Sequence, residues 1–242
     1  MLTLIYSDIH SNIIAYRELY DIIAKFKPDK LFCLGDLVGY GSNPNEVISL
    51  TKDLNPFLIS GNHDRGVFDD SRIDYFNPNA REAIIWTREK LSPENKKFLM
   101  SIPITITNED SCFVHGSLYE PENFHYLDSF KAAVDNFNLM DNYRFCFLGH
   151  THIPGIFVKK GHKVERIMDF NVQINPKYKY IINVGSVGQP RDRHPQGSYC
   201  LWDSEKKSIK ITRFSYNNQK ACDDIIKAGL PSLLGNRLLL GW

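Results

Sequence analysis

The chain lacks a cysteine framework. Its five cysteines, Cys33, Cys112, Cys146, Cys200 and Cys222, are odd in number and form no CxxC pair. That argues against a disulfide scaffold and against a Cys-rich zinc site. Cys33, Cys112, Cys146 and Cys200 sit in apolar, strand-like runs, where cysteine acts as a small buried residue in a reducing compartment. No run approaches the ~18 consecutive apolar residues of a membrane span. The first residues carry no basic n-region and lead at once to Asp8 and His10. They read as a first strand, not a secretory signal. A cytoplasmic protein with no membrane partner is the expectation. Charge of one sign is also missing: 29 Lys+Arg stand against 28 Asp+Glu, a net charge of +1. General nucleic-acid binding usually needs a basic excess, and an acidic disordered tail is excluded by the same balance. There is no GxxxxGK[ST] phosphate loop, and the spacing around Ser186 is not the GxSxG of a hydrolase elbow. Internal repeats, low-complexity tracts and Ser/Gly linkers are absent.

What is present is a 242-residue chain that suits one domain with an inserted segment. The first 60 residues alternate short apolar runs with helical spacing. Strands are expected at 2–7, 30–34 and 56–60. Helices are expected at 12–26 and from Asn43-Pro44 to about Lys52. A βαβαβ order of this kind implies a parallel sheet. Residues 66–102 show only helical signals and read as an insertion, with a cap over a site as one role for it. Strands return at 104–107, 112–115 and 145–148, with a helix at 129–137 between the last two. The C-terminal third is mostly strands, followed by a helical tail at about 219–242. The apolar residues of that tail (Leu233, Leu234, Leu238, Leu239, Leu240 and Trp242) suit docking on the domain or self-association into a homo-oligomer.

Eight histidines are the one unusual supply. Five of them fall, with Asp and Asn, just past the C-terminal ends of predicted strands. The clusters are Asp8-Ile-His10, Gly35-Asp36, Gly61-Asn62-His63-Asp64, His115-Gly116 and Gly149-His150-Thr151-His152. Strand ends set side by side form the crevice where α/β sheets bind ligands. Carboxylate, imidazole and amide oxygen are hard to borderline ligands, suited to Mn2+, Fe or Zn2+. There are enough for two ions. The remaining histidines, His125, His162 and His194, lie in polar stretches and read as surface residues.

These five ordered blocks resemble the calcineurin-like metallophosphoesterase superfamily, whose pattern is DxH, GD, GNH[DE], H and GHxH. The resemblance implies an α/β fold, a four-layer α-β-β-α sandwich of two stacked mixed sheets. It implies one ion on Asp8, His10, Asp36 and His152. The second ion falls to Asp36, Asn62, His115 and His150, with Asp36 as the bridge. His63 would act near the phosphorus and Asp64 would orient it. Mn2+ is the expected ion, with Fe, Zn2+ or Ni2+ as alternatives. The implied chemistry is in-line attack on phosphorus by a hydroxide that the two ions share. Ser11 stands where the family often has Gly.

Outside the blocks, Asn12 can cap the first helix or orient the site. The glycine-rich stretch 183–193 reads as a turn or as a substrate-side loop, whose backbone N–H groups and Arg191 or Arg193 would meet phosphate. The protein phosphatase branch reads GDxxDRG, and here Gly39 and Tyr40 replace its second Asp and its Arg. A compact prokaryotic branch is the nearest resemblance. The leading expectation is a phosphodiesterase acting on a small or nucleotide-like phosphoester, with a phosphomonoesterase second. A non-catalytic binding scaffold is the reading from another class, and the complete ligand set weighs against it.

Overall fold

The computed structural model describes residues 1–242. Strand β1 (Leu2–Tyr6) leads through α1 (Ile13–Phe26) to β2 (Lys30–Cys33) and through α2 (Pro44–Leu54) to the short β3 (Phe57–Leu58). The three strands run parallel in the order β3-β2-β1. Beyond β1 the same sheet continues antiparallel with β11 (Gly197–Asp203), β12 (Ser208–Phe214) and β9 (Asn171–Gln173). The second sheet has the order β4-β5-β6-β10-β7-β8. Its members are β4 (Thr105–Asn108), β5 (Ser111–Val114), β6 (Phe145–Leu148), β7 (Gly155–Lys160), β8 (Lys163–Ile167) and β10 (Lys179–Asn183). The trio β5-β6-β10 is parallel and the outer pairings are antiparallel, so both sheets are mixed.

Strand periodicity explains the layering. Side chains alternate faces, so one strand serves two cores. In β1, Ile5 points between the sheets while Leu4 and Tyr6 face the helices. In β6, Phe145 and Phe147 point between the sheets, while Cys146 and Leu148 pack under α7 (Phe130–Asn138). The middle core is rich in aromatics: Phe32 of one sheet stacks on Phe113 of the other at 4.0 Å. The result is the four-layer α-β-β-α sandwich.

The stretch 66–102 contains α4 (Asp70–Ile73), α5 (Pro78–Lys90) and α6 (Pro93–Ser101). Most of it joins the outer helix layer, where Ala80, Ala83 and Leu99 are buried with α1 and α2 residues. The tail forms α8 (Asn218–Lys227) and α9 (Ser232–Leu240). Leu234 and Leu238 are buried in that same layer, while Leu233, Leu239, Leu240 and Trp242 stay exposed. Three short elements escape the periodicity of the sequence. These are β9, α3 (Asn62–Gly66) and a 3-10 turn at Pro121–Asn123. All five cysteines are free and buried. No helix is long and apolar enough to cross a membrane.

Candidate metal centre

Five strand ends meet at one edge of the sandwich. The residues there are forced into unusual backbone. Asp8, His10, Asp36, His150 and His152 all have positive φ, between 51° and 64°. Such conformations cost about 1–3 kcal/mol each and persist only where the surroundings impose them. Ser11 also has φ 53°, which is the physical reason a glycine suits that position. The surroundings here are a lattice of short loops. The Asp8 N–H donates to Gly35 O, the His10 N–H to Asp36 O and the Ser11 N–H to Leu37 O. From the far side of the chain, the Gly188 N–H and the Ser186 hydroxyl both donate to Asp8 O.

Two groups of ligand atoms result. Asp8, His10, Asp36 and His152 form one, and Asp36, His115 and His150 form the other, each within 4.8 Å. Asp36 belongs to both. Its Oδ2 lies 3.5 Å from His10 Nε2 and 3.3 Å from His115 Nε2. The imidazoles are oriented from behind. His10 Nδ1 meets Val38 O at 3.1 Å, His115 Nδ1 meets Leu34 O at 2.7 Å, and His152 Nδ1 meets Gln189 O at 2.5 Å. A carbonyl accepts only a proton, so each Nδ1 carries the hydrogen and each Nε2 presents a lone pair. Those lone pairs converge: His10 Nε2 and His152 Nε2 are 3.0 Å apart. Two lone pairs at that distance repel unless a positive charge lies between them.

Further acceptors are buried without any partner. Asp8 Oδ1, Asn62 Oδ1, His115 Nε2 and His150 Nε2 make no hydrogen bond. A buried unsatisfied acceptor is expensive, and together these form a cradle for cations. The Asn62 oxygen lacks the donor that a purely structural asparagine would find. This donor set fits two divalent ions.

The electrostatics agree. Burial lowers His150 and His152 to about 3, aided by the charges of His115 and Arg191 respectively, which keeps both rings neutral. Burial also opposes charge on His115, but the carboxylates of Asp36 and Asp8 outweigh it and lift that ring to about 9. The two acids thus favour positive charge at this ring, which a cation on its Nε2 would supply in place of a proton.

His63 lies beside these groups. Its ring packs 4.7 Å from His10, 4.3 Å from Tyr40 and 4.7 Å from Phe76. Phe76 belongs to the 66–102 stretch, which therefore touches the site through one aromatic side chain. Burial pushes His63 well below its ordinary value. Its Nδ1 is buried without a partner. A Cβ at Gly39 would lie 2.3 Å from that nitrogen, so only glycine leaves room for the ring.

Asp64 does not orient His63. Its two oxygens accept from four backbone N–H groups: Asp36 and Gly61 on Oδ2, Leu37 and Val38 on Oδ1. The sequence expectation differs because adjacency on a strand-to-helix turn sends the two side chains in opposite directions. The ring faces the cleft and the carboxylate braces the Asp36 loop from beneath. Burial and the Asp36 carboxylate push Asp64 up to about 7, while the Gly61 and Val38 N–H groups favour its ionised form.

Stretch 183–193 forms the turn that follows β10. The N–H groups of Val187, Gly188 and Gln189 donate to Ser7 O, Asp8 O and the Ser186 hydroxyl. These three amides are taken, because they hold the Ser7-Asp8 backbone and close the turn on itself. Asn12 caps α1 through Ala15 N–H and donates to Gly188 O, so both ends of its amide are structural. Arg191 lies at the site, with its guanidinium 5.5 Å from the Tyr40 ring. Arg193 is exposed and lies over Trp242. Sequence reasoning missed Tyr40, Phe76, Gln189 and Tyr126, whose ring stacks on His150 at 3.9 Å. None belongs to a ligand motif, and only the fold brings them in.

Fold and site together define a metallophosphoesterase, a phosphoric ester hydrolase. The calcineurin-like phosphoesterase superfamily domain matches residues 1–207, and the chain belongs to that family. It is 41% identical over 240 residues to an uncharacterized protein of Methanocaldococcus jannaschii, covering 97% of this chain and 96% of that one. A metallophosphoesterase crystal structure from Sphaerobacter thermophilus superposes over the whole of both chains with TM-score 0.86 and 31% identity. A hypothetical protein of Pyrococcus horikoshii shares the fold, with TM-score 0.81 and 20% identity over 100% of this chain and 98% of that one.

Proposed function

We propose that the protein is a phosphodiesterase dependent on two divalent ions, with Mn2+ the ion used, acting on a small or nucleotide-like phosphoester. Asp8, His10, Asp36 and His152 would hold one ion. Asp36, Asn62, His115 and His150 would hold the other. The observation that carries this reading is the pair of ligand groups sharing Asp36, with their lone pairs converging and unpartnered. When bound, the ions supply positive charge to the phosphoryl oxygens and acidify a water.

The chain's own residues do the rest. Asp36 fixes the spacing of the two groups, and its Oδ1 accepts the His63 N–H at 2.9 Å. That contact ties the His63 backbone to the shared carboxylate. His63 enters as a neutral ring because burial opposes its charge. An anionic substrate beside it favours the imidazolium, which can then give a proton to the leaving oxygen. The rings of Phe76 and Tyr40 pack on His63, and that of Tyr126 on His150, at the edge of the site.

The test uses full-length protein with Mn2+ and two reporters, bis(p-nitrophenyl) phosphate and p-nitrophenyl phosphate. Release of nitrophenol from both, faster from the diester, is the expected outcome. No release from either sinks the enzyme reading. A faster monoester makes the protein a phosphomonoesterase.

A further inference from the structure

Two arginines meet beside the site without any acid to neutralise them. Arg191 follows β10 in the 183–193 stretch, and Arg237 belongs to α9 at the far end of the chain. Both donate to one neutral acceptor. The Arg191 Nε and Nη2 reach Gln189 Oε1 at 3.3 and 2.8 Å, and Arg237 Nη1 reaches it at 3.4 Å. Neither guanidinium has a carboxylate within 4.0 Å, and the neighbouring acid Asp192 is taken by Arg213. Arg237 Nε is buried with no partner at all. Two like charges held together, one half-buried, repel each other and lose hydration, which one neutral acceptor offsets only in part, so an anion between them would stabilise both.

Their position relates them to the reacting group. Gln189 is buried, and its backbone oxygen is the one that orients His152. Arg191 lies over Tyr40, and Tyr40 packs against His10 and His63 at 4.6 and 4.3 Å. Arg191 therefore stands one aromatic ring away from the ligand groups, with its charge felt at His152 and His63, so the pair flanks the place where a small molecule reacting there would carry a further group.

We infer that Arg191 and Arg237 form a specificity pocket for a second phosphate, so that the preferred substrate is a phosphodiester bearing an additional phosphomonoester group. The inference rests on the phosphodiesterase reading above and narrows it. Two guanidinium forks carry a charge of +2 and several parallel N–H donors, which matches a phosphate dianion better than a single carboxylate.

Two thymidine esters differ only in the feature at issue. Thymidine 5′-(p-nitrophenyl phosphate) has one phosphate, and its 3′-phosphorylated form has two; both release nitrophenol. With Mn2+, the wild-type protein should show a KM about tenfold or more lower for the two-phosphate ester, the size of one or two charge-assisted hydrogen bonds. Arg237→Gln should remove most of that preference. Arg237→Lys, which keeps the charge without the fork, should retain part of it. Thermal melting verifies that the variants fold, and the lysine variant carries the test if the glutamine one does not. Equal KM values in the wild type, or an undiminished preference in the variants, would overturn the inference. Binding separates this outcome from failure of the parent reading. If neither ester is cleaved, thymidine 3′,5′-bisphosphate must still bind more tightly than thymidine 5′-monophosphate by calorimetry, with the difference lost in Arg237→Gln. Equal binding then removes the second-phosphate pocket as well.

Discussion

Gly39 shows how one missing side chain shapes the chemistry. At this position φ is +87°, and a Cβ would stand 2.3 Å from His63 Nδ1. Alanine therefore meets two obstacles, strained backbone and a ring with nowhere to move except into the cleft. Gly39→Ala should leave two metals per chain by elemental analysis yet lower kcat by about 10²-fold, as displacements near 1 Å do. Loss of metal in that variant would show that the glycine supports ligands and not His63. The sequence revealed that Gly39 differs from the protein phosphatase pattern. It could not reveal that the Cα faces His63, because the two lie 24 positions apart and meet only through folding. The proposed ligands stood out for the opposite reason. Each is a chemically distinctive residue at a strand end, and strand ends are forecast from short apolar runs.

At the scale of elements, α3 is the piece that local periodicity could not find. Five residues, Asn62–Gly66, make barely more than a turn, too short for an apolar stripe. Its function is nonetheless central. It carries Asn62 and His63 toward the cleft and Asp64 away from it. Asp64 is wholly buried and gathers four N–H donors from two loops. Asp64→Asn removes the charge and turns one acceptor into a donor facing N–H groups. A loss of about 3 kcal/mol is expected, which for a chain of this size lowers Tm by about 6–12 °C. Differential scanning calorimetry would check it. A change below about 2 °C would mean that the Asp36 loop does not depend on this brace. The same scale explains why the two readings of 183–193, turn and substrate-side loop, could not be told apart. Its glycines suggested amides open to phosphate, but the amides hold Ser7 and Asp8, a pairing across more than 170 residues.

At the scale of the whole molecule, the fold class followed from alternation of strands and helices together with the family resemblance. The details that escaped are those set by long-range packing: the tail helix bringing Arg237 near β10, and Phe76 reaching His63. The buried lone pairs would also make bound metals part of the protein's stability. An ion that binds only the native state stabilises it by about 2.7 kcal/mol when present at a hundred times its Kd. Removing metal with a chelator should lower Tm by about 5–10 °C, and adding Mn2+ back should restore it. An unchanged Tm would mean that the cradle is satisfied without cations.

The pairing of β1 with β11 bears on the order in which the molecule is made. Leu2 lies opposite Asp203, and Ile5 opposite Cys200. A chain emerging from the ribosome as far as His152 already holds all seven proposed ligand residues, yet lacks the strand that flanks Asp8 and the amides that hold its backbone. Its inventory is complete long before its geometry is. Long-range closure of this kind slows folding, so the centre matures only after β11 has been made, and the first proposed ligand translated is among the last to be locked in place.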